Sequence, residues 1–190
     1  MKKSLFLVCT ILLVLPVSAQ FKAKMNFTDM GKDRVFTIYS SGNAYRYEFN
    51  EDGQAGIIIG QEGSAVMTIL MPQQKIAMKM PTGNPMSMGN DPVGSYNYFK
   101  TKGIIKEIGT ETVNGIKCTK AELWNEKSNA SGQLSQKMYT VWISEKYDFP
   151  MKIISHISGS GESKMELKDL EPWTPDAQSF EVPADYMVMN

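Results

Sequence analysis

Phe21-Lys-Ala-Lys-Met-Asn-Phe-Thr28 alternates apolar and polar residues at every step. Phe21, Ala23, Met25 and Phe27 recur with period two against Lys22, Lys24, Asn26 and Thr28. Successive side chains of an extended chain point to opposite faces, so this stretch predicts a strand with one buried and one wet side. The pattern continues outward along the chain. Residues 34–39 are β-branched and aromatic, and Tyr45, Tyr47 and Phe49 alternate with Ala44, Arg46 and Glu48. Asp52-Gly53 and Gly56 mark a turn before the apolar run Ile57-Ile58-Ile59, and residues 60–63 mark another. Ala65, Met67, Ile69 and Met71 follow on alternate positions, then Ile76, Met78 and Met80.

The texture changes at residues 81–94, which are rich in Pro, Gly, Asn, Ser and Met and lack periodicity. They predict a long loop. Tyr96, Tyr98 and Phe99 open either a strand or a short helix. In the second half, Val113-Asn-Gly-Ile116 carries the strongest short hairpin signal, because Asn and Gly both tolerate positive φ. Residues 116–124 are its return strand, and residues 125–136 are polar and loop-like. Met138, Thr140 and Trp142 alternate with Tyr139, Val141 and Ile143, and Met151, Ile153, Ser155 and Ile157 follow Pro150. After Gly159-Ser-Gly161, Met165 and Leu167 open a last strand. Pro172, Pro175 and Pro183 make the tail irregular. No helix of three turns with an apolar stripe is legible. About ten strands at short spacing predict an all-β sandwich or barrel-like sheet.

The N-terminus reads differently. Lys2 and Lys3 precede an apolar run over residues 5–15, Pro16 ends it, and Val17-Ser-Ala19 offers small residues before Gln20. Basic start, apolar centre and small-residue exit predict a cleaved signal peptide over residues 1–19, with a single β-rich domain over 20–190. The run is shorter than the roughly 20 residues of a spanning helix. Cys9 lies inside it behind Leu7 and Val8, without the small residues lipidation requires. The expected location is therefore periplasmic or secreted, without a stable membrane span in the mature chain.

Cleavage removes two of the 20 basic residues and none of the 20 acidic ones, leaving a slightly acidic chain. That offers no footprint for nucleic acid. Only Cys118 then remains, so no internal disulfide is expected and the core must hold the fold.

Catalytic signals are sparse. His156 is the single histidine, and no Gly-x-Ser-x-Gly turn accompanies it. Gly159 and Gly161 open a dinucleotide fingerprint whose third glycine would fall on Lys164, and the Gly89–Gly94 spacing meets Ser95 where a P-loop needs lysine. The chain reads as non-enzymatic, with no cofactor.

Methionine stands out, with 14 in all. Met67, Met71, Met78, Met80, Met86 and Met88 are closely spaced, and two Met-x-Met pairs place thioethers on one strand face. Thioethers are soft ligands suited to copper(I), so Met78, Met80, Met86 and Met88 form a candidate metal set. Methionine also lines adaptable apolar surfaces. Together with the aromatics this gives a candidate apolar-ligand lining of Tyr45, Tyr47, Phe49, Met67, Ile69, Met78 and Met80. A third alternative is an interaction module for another envelope protein, with residues 81–94 as the contact.

Glu107-Ile-Gly-Thr-Glu-Thr-Val-Asn-Gly-Ile-Lys-Cys-Thr-Lys-Ala-Glu-Leu123, then Val141-Trp-Ile-Ser-Glu-Lys-Tyr-Asp-Phe-Pro-Met-Lys-Ile153, then Phe180-Glu-Val-Pro-Ala-Asp-Tyr186 resemble an exported bacterial family, domain of unknown function 4412. That family is similar to the outer-membrane lipoprotein carriers and sorting proteins. The resemblance implies a curved antiparallel sheet, a half-barrel with few short helices, whose concave face holds a lipid or other apolar small molecule. The carriers' helical lid has no clear counterpart in the sequence. No catalytic residue comes with the resemblance.

Overall fold

The computed structural model describes residues 20–51, 53–83, 89–125, 136–157 and 162–189. Residues 1–19, expected to be a signal peptide, Met86 and Met88, and much of the polar stretch 125–136 lie outside the described residues.

The alternating stretches become β1 (Phe21–Asp29), β2 (Lys32–Ser41), β3 (Ala44–Glu51), β4 (Gln54–Gln61), β5 (Val66–Met71) and β6 (Ile76–Pro81). The helix α1 (Pro92–Lys100) follows. Then come β7 (Gly103–Val113), β8 (Ile116–Asn125), β9 (Lys137–Ser144), β10 (Phe149–Ser155), β11 (Ser163–Pro172) and β12 (Met187–Met189). Short turns join neighbours. Asn114 and Gly115 both take positive φ, 48° and 81°, as the Asn-Gly signal requires. Met30-Gly31 makes the same kind of turn between Asp29 and Lys32.

All twelve strands form one sheet in the order β12-β6-β5-β4-β3-β2-β1-β11-β10-β9-β8-β7. The opening stretch behaves as its alternation demands: Phe21, Ala23, Met25 and Phe27 are buried, and β1 lies mid-sheet between β2 and β11. Every pairing is antiparallel except β12 on β6.

The half-barrel is overturned. The sheet neither closes nor curls onto itself: β12 and β7 stand at its opposite ends, each paired on one side only. Alternation fixes which face a side chain takes, but curl comes from bulges and kinks. From β2 to β6 the register runs without a shift, while the extra residues of the bulges fall in β7, β9, β10 and β11. Burial comes instead from covering elements. α1 packs on one face, with Val93 and Tyr96 buried in the core beside Tyr45, Tyr47 and Met67. The tail crosses the other face, where Trp173 packs on Tyr39 with ring centroids 5.0 Å apart and Arg46 donates to the Ser179 carbonyl at 2.9 Å. The tail is thus not wholly irregular, since Met187–Met189 adds the parallel edge strand.

Candidate functional site

Cross-strand register collects the predicted lining on the helix-bearing face. Tyr45 lies opposite Gly60, Tyr47 opposite Ile58 and Phe49 opposite Gly56. Ile58 pairs with Ile69, Ile69 with Met78, and Met67 with Met80. Direct partners point to the same side, so all seven predicted residues share one face. Glycines make room for the aromatics: a Cβ at Gly60 would overlap the Tyr45 ring, and one at Gly56 would overlap Phe49.

The seven do not share one environment. Tyr45, Tyr47 and Met67 are fully buried, whereas Phe49, Ile69, Met78 and Met80 are only half-buried. The reason for the tyrosines' burial is Asp91, which lies inside the stretch expected to be loop. Asp91 caps α1: its carboxylate accepts from the Gly94 backbone N–H at 2.8 Å and sits just before Pro92 at the helix start. The same carboxylate accepts the Tyr45 hydroxyl at 2.7 Å and the Tyr47 hydroxyl at 3.1 Å. Burial pushes the Asp91 carboxyl above its usual range, partly offset by these hydrogen bonds. Burial, then the charge of Asp91, hold both tyrosines well above the usual phenol range. Further along α1, Ser95 Oγ and the Tyr139 hydroxyl lie 2.7 Å apart, tying the helix to the second half of the sheet. The Asp91-Pro92 pair is a legible helix start, but it is hidden among loop-forming residues.

Openings over this face include two beside the predicted lining. One is an apolar cavity of about 140 Å³ against Phe36, Phe49, Ile58 and Ile69, rimmed by Arg34 and Glu51. The Arg34 guanidinium lies over Phe27 and Phe36, 5.0 and 5.6 Å from their ring centroids. The other is a wider, more polar groove of about 620 Å³ touching Tyr45, Gln61, Ser64, Asn97, Tyr98 and Lys102.

The other sequence candidates fall elsewhere. His156 lies just after β10, its Nε2 2.9 Å from Thr140 Oγ1, and burial lowers its pKa. Cys118 is buried, and burial pushes its thiol up, which suits packing rather than reactivity. Among the described residues no group of three or more His, Cys, Asp or Glu is placed to hold a metal ion. Met78 and Met80 share the helix-bearing face with Met67, and Met189 pairs with Met78. Also among the described residues, no helix is long and apolar enough to cross a membrane.

Residues 123–186 match the family model of a domain of unknown function, DUF4412. No curated protein matches the sequence. An uncharacterized conserved protein from Thermus thermophilus superposes with a TM-score of 0.55 at 10% identity, over 92% of this chain and 91% of that one. A chain of the Pseudomonas aeruginosa MucA/MucB complex superposes with a TM-score of 0.50 at 11% identity, over 92% of this chain but 59% of that one. This chain therefore spans less than two thirds of the latter. A LolA superfamily protein from Nitrosomonas europaea aligns at 11% identity with a TM-score of 0.46, over 87% of this chain and 91% of that one. At 10–11% identity, the first two likenesses show a shared fold and no more.

Proposed function

We propose that this chain is an exported, non-enzymatic envelope protein that binds a lipid or other apolar molecule on the helix-bearing face of its open sheet. One observation carries the reading: Phe49, Ile69, Met78 and Met80 stay half-buried on that face beside an apolar cavity of about 140 Å³, while their neighbours Tyr45, Tyr47 and Met67 are sealed into the core. Soft methionines and one aromatic make an adaptable apolar surface. Of the seven predicted residues, those four line the binding surface and the other three support it. Export rests on the basic, apolar and small-residue order of residues 1–19.

The test is to purify the mature chain, search it for co-purifying lipid by mass spectrometry, and titrate an environment-sensitive acyl probe. Ile69→Asn is expected to weaken probe binding without unfolding the protein. Protein that carries no lipid and ignores the probe refutes the reading.

A second reading, docking of another envelope protein, is favoured by the likeness to a chain of the MucA/MucB complex and by the open sheet edges at β7 and β12. An unpaired edge presents free N–H and C=O groups to an incoming strand. Pull-down from an envelope extract, repeated with Ile105→Pro in β7, tests it: a partner retained equally by both proteins refutes the use of that edge.

A further inference from the structure

The apolar cavity has a cation at its mouth, and the chemistry of that cation specifies the ligand. Arg34 extends from β2 on the same face as Phe36, against Phe27 across the β1–β2 pair. Its side chain is 25% exposed, so it is substantially desolvated while still reachable. Its polar contacts within the protein are long. Nη1 lies 3.7 Å from Glu51 Oε1, and Nη2 donates to the Gly89 carbonyl at 3.4 Å. A charge-assisted bond from a guanidinium is ordinarily about 2.7–2.9 Å. The fork carries five N–H donors, and neither of these contacts engages it in the bidentate geometry that a carboxylate satisfies. The flat rings of Phe27 and Phe36 beneath it fix its position without using its donors.

From this anchor the apolar path is continuous. Phe36 meets Phe49 with ring centroids 5.9 Å apart, Ile58 pairs with Ile69, and Ile69 pairs with Met78. We infer that the ligand is a single-chain carboxylic acid, a fatty acid, with its carboxylate on Arg34 and its chain running over Phe49 and Ile69 toward Met78. A monoanion fits better than a dianionic phosphate, because the single guanidinium of Arg34 matches one negative charge and Glu51 on the same rim repels a second. The narrow cavity also takes one chain rather than two. The carboxylate replaces Glu51, whose side chain is 47% exposed and free to turn to water. This inference rests on the apolar-ligand reading above and adds the headgroup.

Dodecanoate and dodecanol share a chain and differ in charge, so their affinities for the mature protein, measured by displacement of a neutral acyl probe, isolate the headgroup. Wild type is expected to bind dodecanoate about tenfold or more tighter than dodecanol, the scale of one charged hydrogen-bonded pair. Arg34→Gln abolishes that preference while keeping dodecanol binding, and Glu51→Gln strengthens dodecanoate alone. Lys24→Gln, at a pair on the other face of the sheet, leaves both unchanged. Circular dichroism and urea titration verify that each variant is folded. Equal affinity of the wild type for both ligands, or a preference that survives Arg34→Gln, overturns the headgroup assignment and leaves the apolar site standing. Binding of neither ligand overturns both.

Discussion

Replacing Asp91 with alanine removes the acceptor for three hydrogen bonds, from Tyr45, Tyr47 and the Gly94 N–H. Loss of a helix N-cap alone costs about 0.5–2 kcal/mol. Each tyrosine hydroxyl then lies buried without its partner, at about 1–3 kcal/mol apiece. Members of one network do not add in full, which places the net loss at about 3–5 kcal/mol, a large share of the roughly 5–15 kcal/mol of a typical domain. Urea denaturation followed by far-UV circular dichroism reads this directly as a lower midpoint at unchanged slope. Asp91→Asn tests the electrostatic part. Burial raises the Asp91 pKa above its unfolded value of 3.8, so between those two values the folded state holds more protons than the unfolded one. Stability from this group is therefore full below pH 3.8 and declines as pH rises through the folded pKa. The difference in stability between wild type and Asp91→Asn should shift against the wild type across that window and level off above it. A loss under about 1 kcal/mol in Asp91→Ala, against the cost of a buried unpaired group, together with a pH-independent difference for Asp91→Asn, would refute the view that this carboxylate latches α1 to the sheet.

Gly60→Ala should destabilise more than Gly56→Ala, because the Tyr45 ring over Gly60 is pinned by Asp91 whereas the Phe49 ring over Gly56 is half-exposed and able to move. Overpacking of this kind costs about 1–3 kcal/mol, and paired thermal melts give the order. Asn114→Ala should cost about 1–2 kcal/mol, since alanine tolerates φ 48° less well than asparagine and lacks the side-chain N–H that donates to the Leu167 carbonyl at 2.7 Å. Asn114→Gly should recover the backbone part only, by the same urea assay. His156 should titrate below 6.5 by NMR, because burial and then Lys137 disfavour its charged form. With the folded pKa depressed, its contribution to stability is present above 6.5 and is lost as pH falls through the folded value. A titration midpoint at or above 6.5 contradicts the burial of its ring.

Much of the fold was written locally. Alternation over Phe21–Asp29, Ala44–Glu51 and Val66–Met71 placed each side chain on its face, and Asn114-Gly115 set its hairpin. Period two also put Tyr45, Tyr47, Phe49, Met67, Ile69, Met78 and Met80 on one side of the sheet, because register between short-turn neighbours follows from the turns themselves. The features that the alternation missed depend on distant partners. Asp91 meets Tyr45 across 46 residues, and Arg46 meets Ser179 across 133.

The sequence by itself determined the export-signal pattern, the β class, the absence of a disulfide framework and the shared face of the candidate residues. These follow from composition and from a two-residue period that any extended chain obeys. Only the tertiary structure decided that the sheet stays open, that α1 is latched over it, that β12 closes against β6 in parallel, and that Tyr45, Tyr47 and Met67 are sealed while Phe49, Ile69, Met78 and Met80 remain reachable. Those outcomes depend on which elements cover which face. Covering is a long-range packing choice: an alternating strand specifies that one side must be buried, but not what buries it.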